Sequence, residues 1–223
     1  FFGGCFSILL GLGALMLFGP YLRDLGALFG QRDIFMAAAL GAVLLIAAIT
    51  QAVYTALYIA EADVPRQLLW GAEGLLFTLL AAFAGAALAQ ARNLQIVWSA
   101  ITAAAVLNVV QVGVGRTMFG PFREAATAVP DMAPAASAVV AFSFMVYNAA
   151  KVLLALALIV VGLSRGKALG GISALIGVVA FVSNTLSMAL GRGFSGELPI
   201  AGGSGVLATL LLAVCLFAAS SDD

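Results

Sequence analysis

Apolar residues dominate long stretches of this chain, and short groups of polar residues separate them. A helix that crosses a bilayer needs about 20 mostly apolar residues. Seven stretches come close to this length or exceed it, and their continuous Ala- and Leu-rich character favours helices over strands. They cover residues 1–20, 34–59, 68–90, 94–115, 139–163, 171–190 and 203–219.

The composition points to a lipid environment. Hydrophobic residues make up 64% of the 223 positions and charged residues 9%, with a mean hydropathy of +1.16. Soluble domains carry about 25% charged residues, and a soluble fold of this size could not bury so much apolar surface. We therefore predict an all-α integral membrane protein, a polytopic bundle of about seven transmembrane helices that forms a single domain over residues 1–223.

The connecting segments give a weak signal for orientation. We call the face with the loops after the second, fourth and sixth stretches side A, and the opposite face side B. Basic residues are almost evenly divided: Arg23, Arg32, Arg92, Arg165 and Lys167 on side B, against Arg66, Arg116, Arg123 and Arg192 on side A. Side B carries two of the tightest basic links, at residues 91–93 and 164–167, which favours side B as cytoplasmic and the N-terminus as external. We expect a bacterial-type inner (plasma) membrane.

Two ionisable residues lie inside the predicted helices. Lys151 is about 18 Å from the side-A end of its stretch at 1.5 Å per residue, near the middle of a hydrocarbon core about 30 Å thick. Glu73 is about 8 Å below side A by the same reasoning. A lysine at that depth costs about 2.5–3.5 kcal/mol unless it finds a partner or water. We expect the two side chains to meet, directly or through water, if their helices pack together.

Uncharged polar residues lie at a similar depth below side A. They are Gln51, Asn108, Gln111, Asn148 and Asn184. They fit two interpretations. Buried amides link membrane helices, with about 0.6 kcal/mol for an average hydrogen bond. Alternatively, they line a water-accessible cavity open to side A, with Lys151 at its floor and Glu73 on its wall, suited to a polar or anionic ligand or to an ion-coupled step.

The aromatic residues near the ends of stretches, residues 116–138 and the two cysteines have simpler interpretations. Trp70 and Tyr58 are near the ends of stretches, as aromatic anchors at a membrane interface are. Residues 116–138 contain Pro, Gly and acidic residues, which favours a surface loop. A short interfacial helix after Pro121, or a lid over the cavity, is the alternative for Gly120–Ala128. The cysteines Cys5 and Cys215 fit small core residues.

The chain lacks the residues that several common kinds of functional site require. The chain has no histidine, which removes the commonest ligand of haem and zinc, and it has neither a phosphate-binding loop nor paired cysteines. We predict no metal site and no cofactor. The formal net charge is zero and no basic run occurs, so no nucleic-acid partner is expected.

Three functional classes remain, in this order. The first is a non-catalytic subunit of a larger membrane assembly. Whatever the function, the partners expected within the bilayer are lipid and either other membrane subunits or further copies of the chain. The second is a small-solute or ion transporter or channel with a polar cavity around Lys151 and Glu73. The third is an intramembrane enzyme, which the shortage of catalytic residues disfavours.

Overall fold

Six membrane-length helices form the structure in the described part of the chain. The computed structural model describes residues 32–90, 94–165, 168–191 and 199–219. Its helices are α1 (Arg32–Ile59), α2 (Asp63–Gln90), α3 (Gln95–Ala128), α4 (Ala133–Arg165), α5 (Ala168–Ala189) and α6 (Pro199–Ala219). All six are long and apolar enough to cross a membrane by length and composition. This confirms an all-α, multi-pass architecture, and the first predicted stretch, residues 1–20, lies outside the described residues.

The helices pack as a ring with one helix on its outside. Each helix contacts the next one along the chain, and α6 returns to contact both α1 and α4. Consequently α1, α2, α3, α4 and α6 surround a common interior, while α5 packs against α4 and α6. Helices α2 and α4 lie on opposite sides of α3 and are not neighbours in this ring.

Positive φ angles mark two described positions next to helix ends on side A. Helix α1 gives way to α2 across residues 60–62, where Glu61 adopts a positive φ of 55°. Asp63 opens α2 and pairs with Arg66 one turn later. At the end of α5, Gly191 has a φ of +62°, a left-handed geometry that glycine adopts without steric cost after a helix.

The expectation of a loop over residues 116–138 is wrong for most of that segment. Helix α3 continues through Pro121 to Ala128, and a 3₁₀ turn (Pro130–Met132) leads directly into α4. The Ala-rich sequence after Pro121 favours helix. At 34 residues, α3 is about 51 Å long, well beyond the ~30 Å of a hydrocarbon core.

Small residues permit close packing where α4 meets α5. A Cβ on Gly162 would lie 2.7 Å from backbone atoms of Gly170 and Ala174, and one on Gly177 would lie 2.7 Å from the Ile159 side chain. In lipid, helices associate through such close contacts rather than through removal of apolar surface from water. Towards side B the interior is filled by apolar side chains, among them Leu44, Leu80, Ile101, Leu158 and Leu212.

Candidate functional site

The Lys151 side chain lies wholly inside the bundle. Its exposed fraction is 0%. The ammonium Nζ donates hydrogen bonds to Gln51 Oε1 on α1 at 2.8 Å and to Thr209 Oγ1 on α6 at 3.1 Å. It also faces the ring of Tyr147, one turn earlier on α4, at 5.1 Å from the centroid. Nζ is therefore surrounded by neutral acceptors and a π face, which attracts positive charge.

Space for the lysine stem comes from α6. Gly205 lies against it, and a Cβ there would be 2.9 Å from Lys151 Cγ and 3.0 Å from Cδ. Thr209 is one turn further along the same helix face as Gly205. Together these two α6 residues receive both the aliphatic stem and the charged end of Lys151.

Glu73 contributes a second buried ionisable group from α2. Its exposed fraction is 4%, and its Oε1 atom has no hydrogen-bond partner among the described residues. The Thr50 side chain on α1 lies beside the Glu73 carboxyl group. Glu73 interacts electrostatically with Tyr147 and Lys151, although it forms no direct salt bridge with Lys151.

Adjacent residues of α1 connect these two groups. Thr50 faces the Glu73 carboxyl group, and Gln51 accepts the hydrogen bond from Lys151. The sequence allows Lys151 and Glu73 to meet if their own helices pack together, but α2 and α4 are not neighbours. Helix α1 instead brings both to one region of the interior. We call this group the charge cluster, which consists of Thr50, Gln51, Glu73, Tyr147, Lys151 and Thr209.

Aromatic side chains cover the charge cluster on side A. Trp70 lies one turn before Glu73 on α2, with ring centroids 5.5 Å from Tyr54 and 5.7 Å from Phe119. Tyr54, Trp70 and Phe119, from three helices, form what we call the aromatic layer. Trp70 is 5% exposed, so the interpretation of Trp70 as an interfacial anchor is wrong.

Gly115 is the reason that Trp70 can turn inward. A Cβ at Gly115 would lie 1.9 Å from the Trp70 Cη2 atom, so the indole occupies the space that any side chain on α3 would need. Above this layer, Arg66 lies over the rings of Tyr54 and Tyr58 at 5.9 and 5.2 Å from their centroids. Among the described residues, rings and a guanidinium group thus lie on the side-A face of the charge cluster, where one of the two interpretations of the sequence places the opening of a water-accessible cavity.

Most of the other predicted polar residues link helices away from the charge cluster. Gln111 donates to Ser143 Oγ at 3.4 Å, which joins α3 to α4. Asn148 donates to Ser187 Oγ at 2.9 Å, between α4 and α5. Asn184 donates to the carbonyl oxygen of Ala201 on α6 at 3.1 Å. These contacts match the interhelical role of buried amides.

Asn108 neither joins the charge cluster nor donates a hydrogen bond to another helix. It is buried on α3 and donates to the Ala104 carbonyl of its own helix at 2.9 Å, while its Oδ1 has no partner among the described residues. Cys215 is a buried core residue as expected, in contact with the Ser173 hydroxyl at 3.3 Å. Cys5 lies outside the described residues.

Three members of the charge cluster were missed in the sequence. Tyr147 precedes Lys151 by four positions, so helical spacing alone places it on the same face. Thr209 and Thr50 stand in highly apolar stretches, where a lone threonine often bonds to its own backbone, as both do here. The second contact of each threonine is with another helix, Glu73 for Thr50 and Lys151 for Thr209, so the sequence alone does not reveal it.

No known protein family matches the chain, and no curated protein or solved structure shows significant similarity to it. Its function is therefore argued from the charge cluster and its surroundings.

Proposed function

We propose that this chain is a membrane transporter for a small polar solute or an ion, with the charge cluster as its binding site. One observation carries the proposal: Lys151 and Glu73, both buried, lie in one interior region without forming a direct salt bridge. Burial of two charges is costly, and ionisable residues within membrane segments commonly mark ion or substrate pathways.

The surroundings of the charge cluster fit a closed state of such a transporter. The aromatic layer covers it on side A, and the apolar core lies between it and side B. Lys151 is held by hydrogen bonds to α1 and α6, two helices that pack against each other. Displacement of this pair relative to α4 would break both bonds and release the ammonium group to a ligand.

Transport can be tested with the purified protein in liposomes adsorbed on an electrode. Rapid solution changes would present protons, monovalent ions and small organic anions in turn, and transient currents would be recorded. We expect at least one class to give a current with the natural protein. We expect Lys151→Met to reduce that current to the level of empty liposomes while the protein remains folded.

Gln111→Leu is the matched control. It also removes a buried polar side chain, but one that links α3 to α4 through Ser143 rather than joining the charge cluster. Its current should persist. Equal currents from Lys151→Met and the natural protein, or currents no larger than those of empty liposomes for every class tested, would contradict the proposal.

Membership of a larger membrane assembly is the second candidate function. The observation that favours it is the length of α3 and α4, since their joined ends form a helical hairpin longer than a hydrocarbon core requires. Such a hairpin offers a surface to another subunit. Mass spectrometry of everything that co-purifies in mild detergent decides this candidate: stoichiometric partners support it, and a pure monomer or homo-oligomer contradicts it.

A further inference from the structure

The Glu73 carboxyl group combines deep burial with an unused hydrogen-bonding atom. Its Oε1 has no partner among the described residues, although it lies in an interior where an unsatisfied polar atom is costly. A structural carboxylate would be expected to use both oxygens in hydrogen bonds. Glu73 Oε1 is instead closed off from solvent with its capacity to bond a small ligand unused.

The neighbouring charges limit what that ligand can be. Titratable groups near Glu73 come from two helices: Tyr54 on α1, and Tyr147 and Lys151 on α4. On α3, the residue opposite this part of α2 is the apolar Val112. A metal ion would keep its full charge beside the Lys151 ammonium and would need several oxygen ligands. A proton needs one oxygen, and its charge cancels that of the carboxylate.

We propose that Glu73 is the proton-binding site of this protein, and that the ion it transports or couples to is H⁺. Uptake forms one O–H bond at Oε1 and converts the carboxylate to a neutral carboxylic acid. Release breaks the same bond and returns the proton to water. Lys151, held by Gln51 and Thr209, keeps a positive charge nearby that favours release. The transport role of this proton rests on the proposed function above, whereas its binding does not.

Infrared difference spectroscopy of the reconstituted protein tests proton binding directly. A protonated carboxylic acid in an apolar site has a C=O stretching band distinct from that of a carboxylate. On acidification we expect such a band to appear reversibly, and to shift when H₂O is replaced by D₂O because the proton exchanges with solvent. Glu73→Gln should remove the band.

Glu124→Gln provides the matched control. Glu124 is an exposed carboxylate on the extension of α3, so its loss should leave the band unchanged. Persistence of the band in Glu73→Gln, or a Glu73 band that never responds to pH or D₂O, would overturn the proposal. A Glu73 band without any current in the liposome assay would retain the proton site and reject the transport function. Currents unaffected by Glu73→Gln, with no Glu73 band, would retain the transport function and reject the proton site.

Discussion

Gly205 and Lys151 are in van der Waals contact across the α4–α6 interface, and the absence of a side chain at 205 makes room for the lysine. A Cβ at this position would lie 2.9 Å from Lys151 Cγ and 3.2 Å from its Cβ. Gly205→Ala should therefore displace Lys151 from Gln51 and Thr209. We expect a loss of about 1–3 kcal/mol in unfolding free energy, as for other overpacked interiors, together with loss of the transport current.

Gly203 offers a matched control on the same helix. Nothing lies within 4 Å of a Cβ there, so Gly203→Ala should be neutral or stabilise α6 by up to about 1 kcal/mol. The double variant Lys151→Ala/Gly205→Ala should recover most of the stability lost in Gly205→Ala, because the crowded stem is gone. The unfolding free energy of the natural protein and of the three variants is measured in detergent. Equal stability of Gly205→Ala and Gly203→Ala would show that the Gly205–Lys151 contact is wrongly placed.

Gly115→Ala should open the aromatic layer. The new methyl group would occupy the position of the Trp70 ring, so the indole must move out towards side A. In a Trp98→Phe background, Trp70 is the sole tryptophan of the chain, and its emission should shift to the red and become more sensitive to aqueous quenchers. Gly113→Ala, where a Cβ meets nothing within 4 Å, should leave the emission unchanged. Identical spectra from both variants would contradict the inward position of Trp70.

Lys151 and Glu73 should stabilise each other through space. Lys151→Met leaves Glu73 without its positive neighbour, and Gln51 and Thr209 without their donor, so we expect it to destabilise the fold. Glu73→Gln leaves the lysine without its negative neighbour and should destabilise the fold. A double-mutant cycle should give a coupling of about 0.5–1 kcal/mol, the low end for interacting residues, since they form no direct salt bridge. Strict additivity would mean that the two charges do not sense each other.

The close contact of α4 with α5 predicts a sharp difference between two glycines, Gly162 on α4 and Gly171 on α5. Gly162→Ala would place a methyl group 2.7 Å from the α5 backbone, which cannot move as a side chain can. We expect a loss of about 1–3 kcal/mol in unfolding free energy. Gly171→Ala, with open space around its Cβ, should be tolerated. If thermal unfolding ranks these two variants in the opposite order, the packing of α5 on α4 is incorrect.

The apolar pattern was sufficient to predict the six described helices, because a membrane imposes one length and one composition on each span. It failed at the end of α3, where the segment leaves the apolar stretch and helix propensity takes over. Polar residues inside long apolar stretches likewise identified Lys151, Glu73 and Gln51 as unusual, since each is costly in lipid unless it has a partner.

What the sequence could not supply was the order in which helices pack around the interior. Lys151 and Gln51 are separated by 100 positions, and nothing local indicates that α1 rather than α2 supplies the lysine's acceptor. Trp70 was misread for the same reason. A tryptophan near the end of a membrane segment can face either the interface or the interior, and the opposite Gly115, on another helix, decides between them.

Restoration of a positive charge at position 151 tests most directly the claim that transport depends on the Lys151 ammonium group. With Cys5 and Cys215 replaced by alanine, Lys151→Cys should be inactive in the liposome assay. Treatment with a methanethiosulfonate carrying an ethylammonium group would rebuild a side chain close to lysine in length and charge, and should restore the current. The neutral methyl reagent, which reacts at the same sulfur, should not. Recovery only with the charged reagent is the predicted result. A current that is unchanged by Lys151→Cys, or that stays absent after the cysteine has been shown to carry the ethylammonium group, would contradict a functional role for the Lys151 ammonium.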